Sequence, residues 1–235
     1  MRTSTSRGFT VVEMAVTLLI IAPLTFLAYN AMHRARPRAT LESTSAELQS
    51  LVHQARQKAL AQATRVALLV APSYNNGQGT GRLVLVQDEP DGSANPSLFS
   101  PAGTPSFGTY DFSNPTATAG GQVLDTLDLP LGVLVGPAGG SGLDPLPFPY
   151  DNITTNAPCS FCAAGGYGAI VFDSRGRATF YSADGGGAIQ SSGQAGGASI
   201  TLYGPDVLSG PGGQYTTHTL VITSPQGMLR TFHNG

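Results

Sequence analysis

The hydrophobic pattern begins with an apolar run from Phe9 to Met32 in which Glu13 is the one formal charge. A helix rising 1.5 Å per residue spans about 36 Å over this run, enough to cross the hydrocarbon core of a bilayer. The pattern therefore predicts a membrane-spanning helix over residues 9–32. A carboxylate near the edge of such a segment is costly and usually has a partner. Glu13 is thus the first candidate functional residue.

A second helical pattern lies within residues 33–65. Apolar residues recur there at three- and four-residue steps, which is typical of one buried helical face: Leu41, Leu48, Leu51, Val52, Ala55, Ala59 and Ala63. We expect this amphipathic helix to continue the first one into a folded domain. Pro23 lies inside the apolar run. It either kinks the helix, because proline removes one helical hydrogen bond, or is tolerated there as prolines in membrane helices are.

Residues 66–235 have the pattern of a β-rich domain. "TRVALLVA" and "RLVLVQD" flank a Gly-rich loop and predict two antiparallel strands. Residues 89–166 are rich in Pro, Gly, Ser and Asn, and predict a loop-rich insertion that carries one or two strands, at "QVLDTLDL" and "LGVLV". The last third predicts a strand-turn-strand unit at "YGAIVFDSRGRATFY", a strand at "ASITLYG" and a closing hairpin at "THTLVITSPQGMLRTFH". The fold class expected is α+β, with a long helix on an antiparallel sheet.

Composition and charge narrow the choice of function. The 235 residues are 41% hydrophobic, which is enough for a packed core. Up to Arg65 there are eight basic and three acidic residues, a net charge of +5, whereas from Val66 onward there are four basic and eleven acidic residues, a net charge of −7. An acidic domain of this kind is a poor source of a long phosphate-binding stripe.

Candidate chemistry is sparse. Cys159 and Cys162 form a single CxxC, which suits a short-loop disulfide if the domain lies outside the cytoplasm. Free thiols and redox catalysis are the alternatives. No second cysteine pair or histidine spacing indicates a metal site, and no motif indicates a cofactor. The strongest enzymatic alternative is a membrane-anchored hydrolase that uses His218 or His233, but we expect both histidines on edge-strand surfaces, and the chain is predicted not to be an enzyme.

The N-terminal stretch "RGFTVVEMAVTLLIIA" resembles the prepilin signal of type IV pilins and type II secretion pseudopilins. A cleaved secretory signal would have an uninterrupted apolar region followed by a small-x-small site, and a plain signal anchor would leave Glu13 unexplained. By the resemblance, Met1 to Gly8 is a leader, prepilin peptidase cuts between Gly8 and Phe9, and the new amine of Phe9 is N-methylated. That amine, or that of a neighbouring subunit, would then pair with Glu13 and set axial register.

The C-terminal pattern resembles the H-type pseudopilins and the FimT/FimU-like minor pilins. A late "F-D-x-x-G-R" hairpin is matched by Phe172, Asp173, Gly176 and Arg177, whereas "QGML" departs from the expected final turn. The resemblance implies a pilin-like fold and a minor structural subunit of a type II secretion pseudopilus, anchored in inner-membrane lipid with a periplasmic domain. Its partners would be other pilin or pseudopilin subunits and the prepilin peptidase/methyltransferase.

Two alternatives stay open. One is a priming or tip minor pilin of a type IV pilus, because the N-terminal signal is shared. The other is a DNA-binding minor pilin for DNA uptake, in which Arg175, Arg177 and Arg230 cluster if the last two hairpins are adjacent.

Overall fold

The computed structural model describes the chain over nine ranges, with backbone alone for 31–37, 117–118 and 234. These ranges are 10–77, 79–88, 110–118, 121–136, 145–155, 157–162, 166–182, 196–204 and 217–234. The predicted leader, Met1 to Gly8, and Phe9 lie outside the described residues, as does much of the predicted insertion at residues 89–166. What is described is an N-terminal helix followed by antiparallel sheets, so the α+β class predicted from the sequence is confirmed.

Helix α1 runs from Val11 to Gln62 as one continuous element of 52 residues. It passes through Pro23, where the predicted kink stays a prediction. The predicted buried face is confirmed for six of its seven members, which are 4% exposed or less: Leu41, Leu48, Leu51, Val52, Ala55 and Ala59. The seventh, Ala63, was placed wrongly. It lies after the end of the helix with φ 52°, where it forms the left-handed C-cap, and it is exposed.

The first sheet contains five antiparallel strands in the order β3-β2-β1-β5-β6. Their bounds are β1 Val66–Asn75, β2 Thr80–Asp88, β3 Gly121–Asp128, β5 Gly168–Phe172 and β6 Ala178–Ser182. The central strand β1 follows α1 directly, pairing with β2 on one side and β5 on the other. The hairpin predicted across the Gly-rich loop is therefore confirmed, and so is the strand-turn-strand unit of β5 and β6.

The second sheet contains four antiparallel strands in the order β4-β7-β8-β9. Their bounds are β4 Leu134–Val135, β7 Gly197–Tyr203, β8 Thr217–Thr223 and β9 Leu229–Asn234. The predicted closing hairpin is β8 and β9, which form six residue pairs from Thr217–Asn234 to Ile222–Leu229. The main core lies between α1 and the two sheets, where side chains such as Leu48, Leu68, Ile170 and Leu220 are fully buried.

The outer face of the first sheet carries a second core. Alternate residues of β1 and β5 point to this side, among them Leu69 and Val171, so both faces of these strands are buried. Tyr110 and Phe112 cover it, just before the short helix α2, Pro115–Thr118. Their rings lie 4.9 Å apart, edge to face. The predicted insertion therefore supplies two strands, β3 and β4, and also the cover of this sheet.

Candidate functional site

The first half of α1 is an apolar helix whose side chains are exposed. Val11–Asn30 has a mean hydropathy of 2.2, and none of it is buried by the rest of the chain. Twenty residues of helix are about 30 Å long, the thickness of a bilayer core. The chain therefore has one N-terminal helix that is long and apolar enough to span a membrane, as predicted.

Three polar side chains within this span donate hydrogen bonds to the helix backbone. The hydroxyl of Thr17 donates to the carbonyl of Glu13 at 2.9 Å, and that of Thr25 donates to the carbonyl of Ile21 at 2.6 Å. The amide of Asn30 donates to the carbonyl of Phe26 at 3.0 Å. Since an unsatisfied polar group costs several kcal/mol in hydrocarbon, these bonds make the span compatible with lipid.

Glu13 closes a capping box with Thr10 at the start of α1. The Glu13 backbone N–H donates to Oγ1 of Thr10 at 3.2 Å, while the Thr10 backbone N–H and hydroxyl donate to Oε2 of Glu13 at 2.9 and 3.0 Å. A carboxylate is also favourable near the positive end of the helix dipole. The glutamate thus has a role within its own chain that the sequence reasoning missed, although the spacing Thr-x-x-Glu is the signature of this motif.

The predicted processing site adjoins this box. Gly8 and Phe9 lie outside the described residues, so the cut between them and the pairing of the Phe9 amine with Glu13 stay predictions. Thr10 is the residue next to Phe9 in the chain, and its backbone N–H is bonded to Glu13. The capping box therefore bonds Glu13 to the residue that directly follows Phe9 in the sequence.

Cys159 and Cys162 are joined in a disulfide. Cys159 forms a β-bridge with Ile200 on the edge of β7, and the Ser160 N–H donates to the carbonyl of Ser199 at 3.0 Å. Between the cysteines, Phe161 is fully buried and its ring lies 5.6 Å from that of Phe180. The disulfide loop is therefore part of the packing between the two sheets.

The three arginines considered for DNA binding are on neighbouring hairpins. The turns do meet, because the Ala178 N–H donates to the carbonyl of Pro225 at 3.0 Å. Arg177, however, forms an ion pair with Asp173 at 2.7 Å. Arg230 lies over the ring of Tyr150 at 5.6 Å. No described contact brings Arg175, Arg177 and Arg230 together into one basic patch.

The "F-D-x-x-G-R" hairpin has a packing role. Phe172 is fully buried in the main core, and Gly176 adopts a φ of +71°. A side chain at Gly176 would meet Leu60 of α1 at 3.1 Å. Next to it, Gly227 of the last turn lies against Phe172 and the carbonyl of Gly176. This hairpin therefore joins the C-terminal end of α1 to the β8–β9 hairpin.

His218 and His233 were both expected on edge-strand surfaces, and for His218 this prediction was wrong. His233 is exposed on the edge strand β9, but His218 lies on β8, between β7 and β9, and is 4% exposed. Nothing local in the sequence indicates this, because the burial of His218 depends on the packing of β8 against α1, which lies far earlier in the chain. Their rings are 4.2 Å apart and nearly perpendicular. Within the described ranges, no group of three or more His, Cys, Asp or Glu side chains could hold a metal ion.

Comparison with known proteins returns no matching family model, no similar curated protein and no similar solved structure.

Proposed function

We propose that this chain is a minor pilin-like structural subunit, an H-type pseudopilin of a type II secretion pseudopilus. The chain would be held in the inner membrane by Val11–Asn30, with its β domain in the periplasm. After the leader is cut between Gly8 and Phe9, the subunit would enter a short fibre by packing its apolar helix against those of its neighbours.

The proposal depends on one observation: the first half of α1 is exposed, whereas its second half is packed in the core of the domain. Its first twenty residues are apolar and are not buried by their own chain. Its second half is held in the main core by residues such as Leu41, Leu48 and Val52. A subunit that must first lie in lipid and then pack laterally needs an apolar helix that its own domain does not cover, and a domain fixed rigidly to that helix.

Glu13 supports the proposal through its position. A carboxylate at the first turn of an apolar helix is costly in lipid unless it is paired. The capping box relieves part of that cost, and an amine one residue before Thr10 would add a positive charge. In a bundle of subunits the same charge pairing, made between chains, would fix the axial register.

The decisive experiment is mass spectrometry of the mature protein isolated from its native host. We expect the mass of residues 9–235 plus one methyl group, with the methylated amine on Phe9. A Gly8→Val variant should retain the leader, because the residue before the cut is changed, whereas Arg7→Lys should be processed normally. A mature chain that still begins at Met1, or is cut at residue 28 or later, would overturn the proposal.

A second experiment tests assembly rather than processing. We expect Glu13→Ala to be processed but to enter fibres poorly in co-assembly with its partner pilins, and Glu13→Gln to fail similarly because it lacks the charge. Met14→Ala is the matched control, since Met14 is 58% exposed on the same helix and carries no charge. Normal co-assembly of Glu13→Ala would exclude the proposed role of this carboxylate.

A further inference from the structure

His218 and His233 are directly opposite each other on neighbouring antiparallel strands. The register of β8 and β9 pairs them, next to the Thr217–Asn234 pair at the end of the ladder. His218 shares its face of β8 with Leu220 and Ile222, which belong to the main core. The pair therefore lies where the last hairpin packs against α1, at the end of the interface that is nearer the membrane-spanning half.

The surroundings of His218 disfavour a positive charge. Its side chain is 4% exposed, and its Nδ1 atom is buried with no hydrogen-bond partner among the described residues. On β7 the residue opposite is Leu202, which carries no charge. From β9 it faces His233, and from α1 it faces Arg38 and Glu42.

Burial and the three neighbouring groups His233, Arg38 and Glu42 do not all shift the pKa of His218 in the same direction. Burial lowers the pKa of His218 most, a charge on His233 lowers it further, and Arg38 adds to that effect. Glu42 alone opposes the others and raises the pKa, and the net result is a lowered value. Glu42 is itself paired with Arg38 at 3.1 Å, which weakens its ability to compensate a proton on His218.

We propose that His218 and His233 form an acid-sensitive joint between the β8–β9 hairpin and α1. In the closed state His218 is uncharged, and its ring packs edge to face against that of His233. In acid, His218 takes up a proton more readily when the joint is open and water reaches the ring. Acidification therefore loosens the last hairpin from the helix that carries the membrane span.

The direction follows from proton linkage. A histidine whose pKa is lowered in the closed state binds more protons in the open state. The stability of the closed state is therefore fully present above about pH 6.5, and it is lost as the pH falls from there to the closed-state pKa. Over that window, one extra proton in the open state raises the opening equilibrium constant by up to about tenfold per pH unit.

Hydrogen exchange of the full-length protein in detergent micelles measures this opening. After correction for the intrinsic pH dependence of exchange, the opening constant of β8 should rise between pH 6.5 and 5, and the central strand β1 should not respond in the same way. His218→Phe should abolish the rise. His53→Asn is the matched control, because His53 is exposed on α1, and it should keep the wild-type response.

A second measurement does not depend on the variant folding. Histidine ring titration by NMR in the wild-type protein should give His218 a midpoint below the ordinary histidine value of about 6.5, and His233→Asn should move the His218 midpoint upward. A His218 midpoint at or above about 6.5, or an unchanged pH response in folded His218→Phe, would overturn the proposal.

Discussion

Arg82 of β2 holds Asp128 of β3 with two parallel hydrogen bonds, Nε to Oδ1 at 2.5 Å and Nη2 to Oδ2 at 2.8 Å. The same guanidinium donates from Nη1 to the carbonyl oxygen of Phe112 at 2.5 Å and lies 4.5 Å from the Tyr74 ring centroid. One side chain thus ties the edge strand β3 and the Tyr110–Phe112 cover to the first sheet.

The first prediction concerns this arginine. Arg82→Met should lower the free energy of unfolding by about 2 kcal/mol, because it leaves the carbonyl of the buried Phe112 without its charged donor and removes the paired contact with Asp128. Arg82→Lys should recover only part of the loss, since an ammonium cannot make the paired contact. Denaturant unfolding of the full chain in micelles measures both.

Arg38→Met serves as the control for that series. Arg38 and Glu42 also form an ion pair, but their side chains are 65% and 55% exposed. Exposed pairs of this kind contribute about 0.5 kcal/mol or less. If Arg82→Met cost no more than Arg38→Met, the role given to Arg82 would be wrong.

The second prediction concerns the close approach of Phe161 to Gly168. A Cβ at Gly168 would come within 2.6 Å of Cδ2 of Phe161 and 2.9 Å of the Cys162 sulfur. Gly168→Ala should therefore destabilise the protein by about 1–3 kcal/mol through overpacking. Gly196→Ala, where the nearest atom is 3.5 Å away, should change stability little. Equal costs in thermal unfolding would contradict the packing described for the disulfide loop.

The third prediction concerns the Cys159–Cys162 disulfide. The loop that it closes is short, so loop-closure entropy gives a stabilisation of about 2 kcal/mol. Reduction should lower the unfolding midpoint of the wild-type protein in denaturant. A Cys159→Ser/Cys162→Ser variant should begin near the reduced wild-type value and be indifferent to the reductant. A wild-type midpoint that does not respond to complete reduction would show that the bond contributes nothing measurable.

The fourth prediction is a pH dependence at Asp173. Burial tends to raise the pKa of its carboxyl group, but hydrogen bonds from the backbone and side chain of Arg177 and from the Arg175 N–H outweigh this effect and lower it. The bonded carboxylate therefore stabilises the β5–β6 turn above about pH 4, the ordinary range of an aspartate, and this stability is lost as the pH falls through the folded-state pKa.

Asp173→Asn tests that dependence. The variant should be less stable than the wild type at pH 7, and the difference should shrink between about pH 4 and 2 as the wild-type carboxylate is protonated. Asp151→Asn, at an exposed position, is the matched control and should change the free energy of unfolding at pH 7 little. A constant difference between Asp173→Asn and wild type across this range would refute the prediction.

The fifth prediction separates the structural proposal from DNA binding. Because Arg177 is paired with Asp173 and Arg230 lies over Tyr150, we expect no electrophoretic shift of duplex DNA by the full chain, even at low salt. A shift that disappears in Arg175→Ala/Arg177→Ala, but persists in Lys58→Ala on α1, would favour the DNA-binding function instead.

Local pattern was enough to locate most elements. Successive side chains from Val66 to Ala71 point alternately into the two cores. The unbroken apolar sequence of this segment is therefore that of a strand buried on both faces. The apolar spacing of Leu48, Val52, Ala55 and Ala59 likewise predicted the buried face of α1. These signals are local, since they depend on the period of the strand or the helix alone.

What the sequence did not predict depends on contacts between distant residues. The division of the strands into two sheets and the cover formed by Tyr110 and Phe112 require segments far apart in the chain to meet. The burial of His218 likewise requires β8 to pack against α1. Glu13 is a different case. The Thr-x-x-Glu spacing of a capping box is present in the sequence. Because a carboxylate is rare in an apolar run, however, the sequence reasoning considered only partners outside the helix.

The outer edge of β7 has a consequence for how this protein can associate. Beyond the two residues of β4, that edge is occupied by the disulfide loop, in which the Thr201 N–H donates to the carbonyl of Pro158 at 3.1 Å and the Ser160 N–H donates to Ser199. An occupied edge cannot template the addition of a strand from another molecule. The loop thus blocks the addition of strands by which amyloid-like growth would proceed along this side of the domain. This matters in a chain that already exposes a long apolar helix to its surroundings.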